Sequence, residues 1–174
     1  MRVFAALALL AVAGCSSVVP PSYRDQSVTI SSKAAFDAQA YAGRWYEIAS
    51  FPTPFQEGCM RTQANYFPLT PGPGYRVVNT CEVDGVQKDI EGFATPDGPG
   101  RLLVKFDGVP FVKAPYWVLW VDADYETAVV GTPSGRGGWI LSRTPDIRDD
   151  KLTAARQILQ FNGYDLGALR MTPQ

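Results

Sequence analysis

Between residues 45 and 144 the chain is a succession of short, β-prone runs, each stopped by proline, glycine or aspartate before a helix of ordinary length could form. Trp45–Phe51 ends at Pro52 and Pro54, and Met60–Phe67 ends at the cluster Pro71-Gly72-Pro73-Gly74. Tyr75–Val83 meets Asp84-Gly85, and Val86–Thr95 meets Pro96-Asp97-Gly98-Pro99-Gly100. Arg101–Phe106 is followed by a longer loop holding Pro110 and Pro115, then by Tyr116–Asp122, Thr127–Gly131 and Gly138–Thr144. Runs this short, with a turn signal between neighbours, predict an all-β meander of eight antiparallel strands that closes as a sandwich or barrel. One segment departs from the pattern. In Asp149–Gly163 the residues Leu152, Ala155, Ile158 and Leu159 recur at helical spacing; Asp146, Asp149 and Asp150 suit the positive end, and Gly163 the cap at the other. The Leu152/Ile158/Leu159 face is expected to pack on the outside of the sheet. Its polar side carries only Lys151 and Arg156, too little basic charge for a helix lying on a membrane.

At 174 residues a single main domain is expected. Sixteen basic and 17 acidic side chains leave a net charge of −1, which excludes a chain-wide basic footprint for nucleic acid. The sequence contains no histidine. Triads that need an imidazole base are therefore excluded, and most zinc sites and the usual haem ligand are lost as well. The carboxylates are dispersed, so neither a metal site nor a cofactor is expected. Nine Phe, eight Tyr and four Trp, with 16 Gly and 14 Pro, suit short strands with many turns, and without an imidazole binding leads catalysis.

The N-terminus reads separately. Met1-Arg2 gives a positive start, and Val3–Ala13 is an unbroken apolar run of eleven residues. As a helix it spans about 16 Å, half of a ~30 Å bilayer core, so a secretory signal is expected rather than a transmembrane helix. Val12-Ala13-Gly14-Cys15 resembles the bacterial lipobox, whose cysteine is diacylated; an ordinary cleavage site with an incidental cysteine is the alternative. Ser16, in place of Asp, resembles the sorting pattern for the outer membrane. The expected organisation is a signal peptide over 1–14 and a lipidated Cys15 with a Ser/Pro-rich tether over 15–35. The last part of that tether would drape over a folded domain spanning 36–174. The protein would then be held in the bacterial outer membrane, facing the periplasm.

Three motifs carry a family resemblance. Gly43-Arg44-Trp45, within Tyr41–Ala49, resembles the GxW signature at the start of the first lipocalin strand. Asp122-Ala123-Asp124-Tyr125, just after Tyr116–Trp120, resembles the second lipocalin motif, and Arg143 within Trp139–Pro145 the third. The first triplet alone is common by chance; three motifs in order, at barrel spacing and ahead of one helix, are specific. The resemblance covers about residues 36 to 170 and is nearest to the bacterial outer-membrane, apolipoprotein D-like branch. It implies an eight-stranded up-and-down antiparallel β-barrel with one C-terminal α-helix packed outside. It also implies that Arg143 lies over Trp45 at the closed end, a cation–π pair for which Gly43 allows the close backbone approach. Gly43, Trp45, Asp122, Tyr125 and Arg143 are on this reading structural.

Alternation makes every second strand residue a candidate for the barrel wall, but parity alone does not choose the set. The resemblance chooses Tyr66, Asn79, Phe106, Tyr116 and Trp139, and on that parity Val104, Val118, Trp120 and Leu141 also face inward. An aromatic and aliphatic wall with one amide and two hydroxyls suits an acyl chain with a small polar head, so fatty acid or lysophospholipid is the expected ligand. The competing reading is that these aromatics simply fill the core. Arg61, Arg76, Lys88, Arg101, Lys105 and Lys113 are placed on loops, rims or the outward face. The head group is therefore expected near the mouth, under Pro52–Gly58. Glu47 is the only acidic residue of the first strand, and no titratable partner is apparent. No enzyme is expected; a lipid-modifying enzyme on this fold and a structural lipoprotein with a filled barrel are the alternatives. A monomer or weak dimer is expected.

Cys59 and Cys81 are the remaining thiols. A disulfide is the default for an isolated pair in an oxidising compartment, and relatives carry Cys at both places. A hairpin turning at 71–74 would set Cys81 opposite about residue 64, so the bond requires a curled loop or a bulge. The other reading, a reactive thiol as in one isomerising lipocalin, lacks a neighbouring His or basic cluster to activate it.

Overall fold

The structure, a computed structural model, describes residues 22–109 and 113–174. The expected signal peptide, Cys15 and the first part of the tether lie outside the described residues, as does Pro110. Among the described residues there are nine strands: β1 Gly43–Ser50, β2 Met60–Pro68, β3 Tyr75–Val83, β4 Val86–Gly98, β5 Arg101–Phe106, β6 Ala114–Val121, β7 Thr127–Gly131, β8 Gly138–Ser142 and β9 Arg170–Met171. Two α-helices accompany them, α1 Ala38–Tyr41 and α2 Asp149–Phe161. Strands β1 to β8 pair antiparallel in chain order, and β1 pairs with both β2 and β8. The result is the expected closed, eight-stranded up-and-down barrel, with α2 packed outside. All eight β-prone runs are strands, and three of them keep their bounds unchanged.

The barrel wall separates two cores. Inside lie Trp45, Tyr66, Tyr75, Val77, Val104, Val118, Val121, Val130 and Leu141. Outside, Ile48, Phe51, Leu119, Val129 and Ile140 meet Ala155 and Leu159 of α2 together with Tyr164. Leu152 and Ile158 complete the helix face that was expected to bury. Gly163 follows the helix with φ 86°, a conformation that costs glycine little and other residues more.

Two β-bulges set which residues face in. The β6–β7 register shifts between Val118 and Trp120, and the β1–β8 register between Glu47 and Ala49. One extra residue reverses the alternation. Val118 and Val121 therefore face the interior while Leu119 and Trp120 pack with the helix-side core. The expectation that Trp120 lines the cavity is thus corrected: unbroken period-2 counting through β6 does not survive its bulge.

A third irregularity shapes the open end. β2 and β3 change register between Met60 and Gln63, where Arg61 has φ 51°. This is the bulge that the cysteine pairing required. It brings Cys59 to Cys81, which are disulfide-bonded with Cα atoms 5.4 Å apart. Here β2 has parted from β1, and β9 takes its place, pairing with Ala49 and Ser50. The Arg61 amide donates to the Pro173 carbonyl at 2.6 Å, so the C-terminal segment wedges between β1 and β2 and covers an exposed strand edge. The segment from Ser22 lies on the domain. Tyr23 stacks on Phe51 with centroids 5.3 Å apart, and the buried Arg24 donates through Nε to the Asn162 carbonyl at 2.8 Å, beyond the C-terminal end of α2. A guanidinium at that end suits both the orphan carbonyls and the helix dipole.

Candidate functional site

At the end where β1 begins, the barrel is sealed. Trp45 is fully buried and its indole Nε1 donates to the Tyr41 carbonyl at 2.8 Å. The Arg143 guanidinium lies 3.8 Å from the Trp45 ring centroid. Its nitrogens donate to the carbonyls of Arg44 at 2.7 Å, Ala40 at 2.8 Å, Ala42 at 2.9 Å and Tyr125 at 3.1 Å. Gly43, at φ 95°, passes so close that an added Cβ would sit 3.4 Å from Nη1 of Arg143. Tyr125 has φ 56°, and its hydroxyl accepts from the Asp37 amide at 2.7 Å, fastening the segment before α1 across the barrel end.

Asp122 ties this end to the helix. Its Oδ1 accepts from the amides of Glu126 at 2.8 Å and Thr127 at 3.2 Å, and its Oδ2 lies 2.6 Å from Nζ of Lys151. Burial pushes the carboxyl up, but the Lys151 ammonium and the two amides outweigh it and leave the carboxyl below its ordinary value. A depressed carboxyl stabilises the fold fully above its unfolded-state value and loses that contribution as pH falls through the folded-state value. Denaturant stability should therefore hold from neutrality down to pH ~5 and fall below pH ~4. Asp122→Asn should cost about 1–2 kcal/mol at neutral pH and flatten the acid fall. Superimposable denaturation curves for the two proteins across that range would remove Asp122 from this role.

Above the seal, tyrosines floor the barrel interior. Tyr66 donates to the Tyr116 hydroxyl at 2.8 Å, and the hydroxyls of Tyr41 and Tyr116 are 2.7 Å apart. Burial lifts the Tyr66 phenol to about 12 and raises those of Tyr41 and Tyr116 well above the ordinary value, so all three are neutral. Three hydroxyls share two hydrogen bonds here, so one O–H proton is left for another acceptor. The sequence marks Tyr41 only as the start of the GxW stretch and not as part of the interior, because the four-residue α1 that carries it has no periodicity to detect.

The wall rises from this floor. Tyr66 and Val118 are buried; Phe106, Tyr116 and Trp139 pack on the same interior core but remain partly exposed. The Tyr116 and Trp139 rings stack at 6.3 Å. Asn79 is paired with Ala64, on the side of β3 that carries Val77, and its buried Oδ1 has no partner; Thr62 Oγ1 is likewise unpartnered. The structure thus brings together Tyr66, Asn79, Phe106, Tyr116, Val118 and Trp139, and sets Trp120 outside them. Of the basic residues kept off the wall, Arg61 pairs with Glu82, Arg76 with Glu91, and Arg101 lies over Trp117.

Toward the open end the lining turns polar. Trp139 Nε1 donates to Gln56 Oε1 at 3.1 Å, and Gln56 Nε2 donates to Glu47 Oε2 at 2.6 Å. Beneath the β1–β2 loop lies a cavity of about 560 Å³. A smaller one of about 320 Å³ sits at the sealed end beside Phe36, Leu69 and Leu102. Among the described residues, no group of three His, Cys, Asp or Glu side chains is placed to hold a metal ion.

The architecture and these motifs have known counterparts. A family model for the lipocalin-like domain matches residues 36–174. Temperature-induced lipocalin-1 of Arabidopsis thaliana is 38% identical over 148 residues, 79% of each chain. Outer membrane lipoprotein Blc of Escherichia coli is 37% identical over 169 residues, 94% of this chain and 90% of that one. Bovine apolipoprotein D is 35% identical over 152 residues, 80% and 77% of the two chains. Among solved structures, insecticyanin from the tobacco hornworm superposes with a TM-score of 0.68 over 88% of this chain and 87% of its own, at 20% identity, a likeness of fold alone. With a sealed end, the three motifs in place and the family model spanning the whole barrel, the chain belongs to the lipocalin family.

Proposed function

We propose that the barrel binds a single acyl lipid, fatty acid or lysophospholipid, and stores or carries it in the bacterial envelope. The observation that supports this reading is the incompletely buried aromatic upper wall. Phe106, Tyr116 and Trp139 pack on the interior core above a sealed floor yet stay partly exposed. At the centre of a solidly packed barrel such rings would be buried. The reactive-thiol reading loses its nucleophile, because Cys59 and Cys81 are bonded to each other. The protein would be anchored by a diacylated Cys15 after removal of residues 1–14 and would face the periplasm. The lipobox-like stretch supports this, together with a relative named as an outer membrane lipoprotein that matches 94% of the chain.

Native mass spectrometry of the purified protein, exposed to oleate and to lysophospholipid, tests the proposal. One lipid bound per protein is expected. A protein that stays empty under both conditions would favour the filled-barrel reading instead.

A further inference from the structure

Two carboxylates are buried among the described residues, Asp122 and Glu47. Asp122 has the Lys151 ammonium; Glu47, 5% exposed, has no Lys or Arg within ion-pair distance among the described residues. Its Oε1 accepts from the Thr172 hydroxyl at 2.7 Å and its Oε2 from the Gln56 amide at 2.6 Å, both neutral donors. Two carboxylate oxygens take about four hydrogen bonds, and a charge removed from water ordinarily finds a counter-charge. Here the β1 bulge and the C-terminal wedge hold the carboxylate in place without one.

Glu47 forms part of the lining of the 560 Å³ cavity beneath the β1–β2 loop. A second carboxylate, Glu57, lines it from the loop, and Tyr23, Pro52, Pro54 and Met171 supply apolar surface. The one basic residue in the lining, Arg170, turns its guanidinium onto the carbonyls of Gly167 at 2.8 Å and Leu169 at 3.1 Å. Gln56 stands between this cavity and the barrel wall, its amide bonding Glu47 on one side and the Trp139 indole on the other.

We propose that this cavity is a subsite for an organic ammonium group. Glu47 is its counter-charge, and the attached acyl chain passes Trp139 into the barrel. The inference rests on the carrier reading and narrows it. A free carboxylate placed here would face Glu47 and Glu57 and be repelled, whereas the ammonium of a long-chain amine or of a zwitterionic lysophospholipid would be held by a charge-assisted contact.

The test is displacement of Nile red from the purified protein by four ligands that share one oleyl-type chain: oleylamine, lysophosphatidylethanolamine, lysophosphatidylglycerol and oleate. The two ammonium ligands should bind at least about tenfold more tightly than the two anionic ones. Tight binding of both assigns recognition to the ammonium itself, and of oleylamine alone to an ammonium with no phosphate beside it. In Glu47→Gln, which keeps the shape of the side chain, the gap should close through weaker binding of the ammonium ligands, with oleate unchanged or tighter. Equal or reversed affinities in the wild type would overturn the subsite while leaving the carrier reading intact. A gap that persists in Glu47→Gln removes Glu47 from the role, and failure of all four ligands to bind overturns both readings. The order of affinities in the wild type decides the question even if the variant does not fold.

Discussion

Arg143→Ala is expected to destabilise the protein by about 3 kcal/mol and to lower its melting temperature by about 10 °C, with lipid selectivity unchanged. The guanidinium satisfies four carbonyls from three segments that close the barrel end: the α1 region, the start of β1 and the β6–β7 connection. It also covers the Trp45 ring. Removing it leaves those carbonyls without their charged donor and opens the indole to water, a cation–π loss of ~0.5–2 kcal/mol by itself. The figure is kept near the low end of that sum because Arg143 is only partly buried and water can replace some of its bonds. Arg143→Lys, with one point donor in place of a planar fork, should recover only part of the loss. Thermal melts paired with lipid titration check this. A melting temperature equal to wild type, with lipid binding lost, would contradict the structural assignment.

The largest spectroscopic effect is expected at Trp139. Binding of an acyl chain should shift or quench the indole fluorescence of the wild type, and Trp139→Phe should abolish most of that response. The reason is the distribution of the four tryptophans. Trp45 is sealed under Arg143, and Trp117 and Trp120 belong to the helix-side core, outside the barrel. Only Trp139 packs on the interior while keeping exposed surface, and covering that surface with a chain contributes roughly 25 cal/mol per Å². Trp45→Phe, by contrast, should leave the response in place. Had β6 carried no bulge, Trp120 would have shared the signal, so a response surviving in Trp139→Phe and vanishing in Trp120→Phe would place the wrong tryptophan in the wall.

Much of the barrel interior was legible before the fold. Tyr66, Phe106, Tyr116, Val118 and Trp139 stand on the interior where the family resemblance and its parity put them, because the alternation runs without a break through β2 from Gln63 onward, through β5 and β8, and through β6 up to Val118. Asn79 is legible for the same reason on β3. Trp120 was misassigned because it lies beyond the bulge. Glu47 stood out in the sequence only as an isolated acid; its partners Gln56 and Thr172 are 9 and 125 residues away and follow no pattern that links them.

The sequence by itself determined the number and order of the eight antiparallel strands and the single outer helix, and through the family resemblance of its motifs it implied the closed barrel and the Trp45–Arg143 seal. These follow from local causes: turn residues that stop each run, a helical period in one segment, and short motifs whose side chains act at fixed places on their strands. The tertiary structure alone decided which face Trp120 takes, where β9 lies, how Tyr41 joins the floor and what surrounds the Glu47 carboxylate. A period of two assigns faces only while it is unbroken, and one extra residue at a bulge reverses all that follows. A two-residue strand such as β9 has no period at all; it forms because β2, turned away at Arg61, leaves the edge of β1 to be paired.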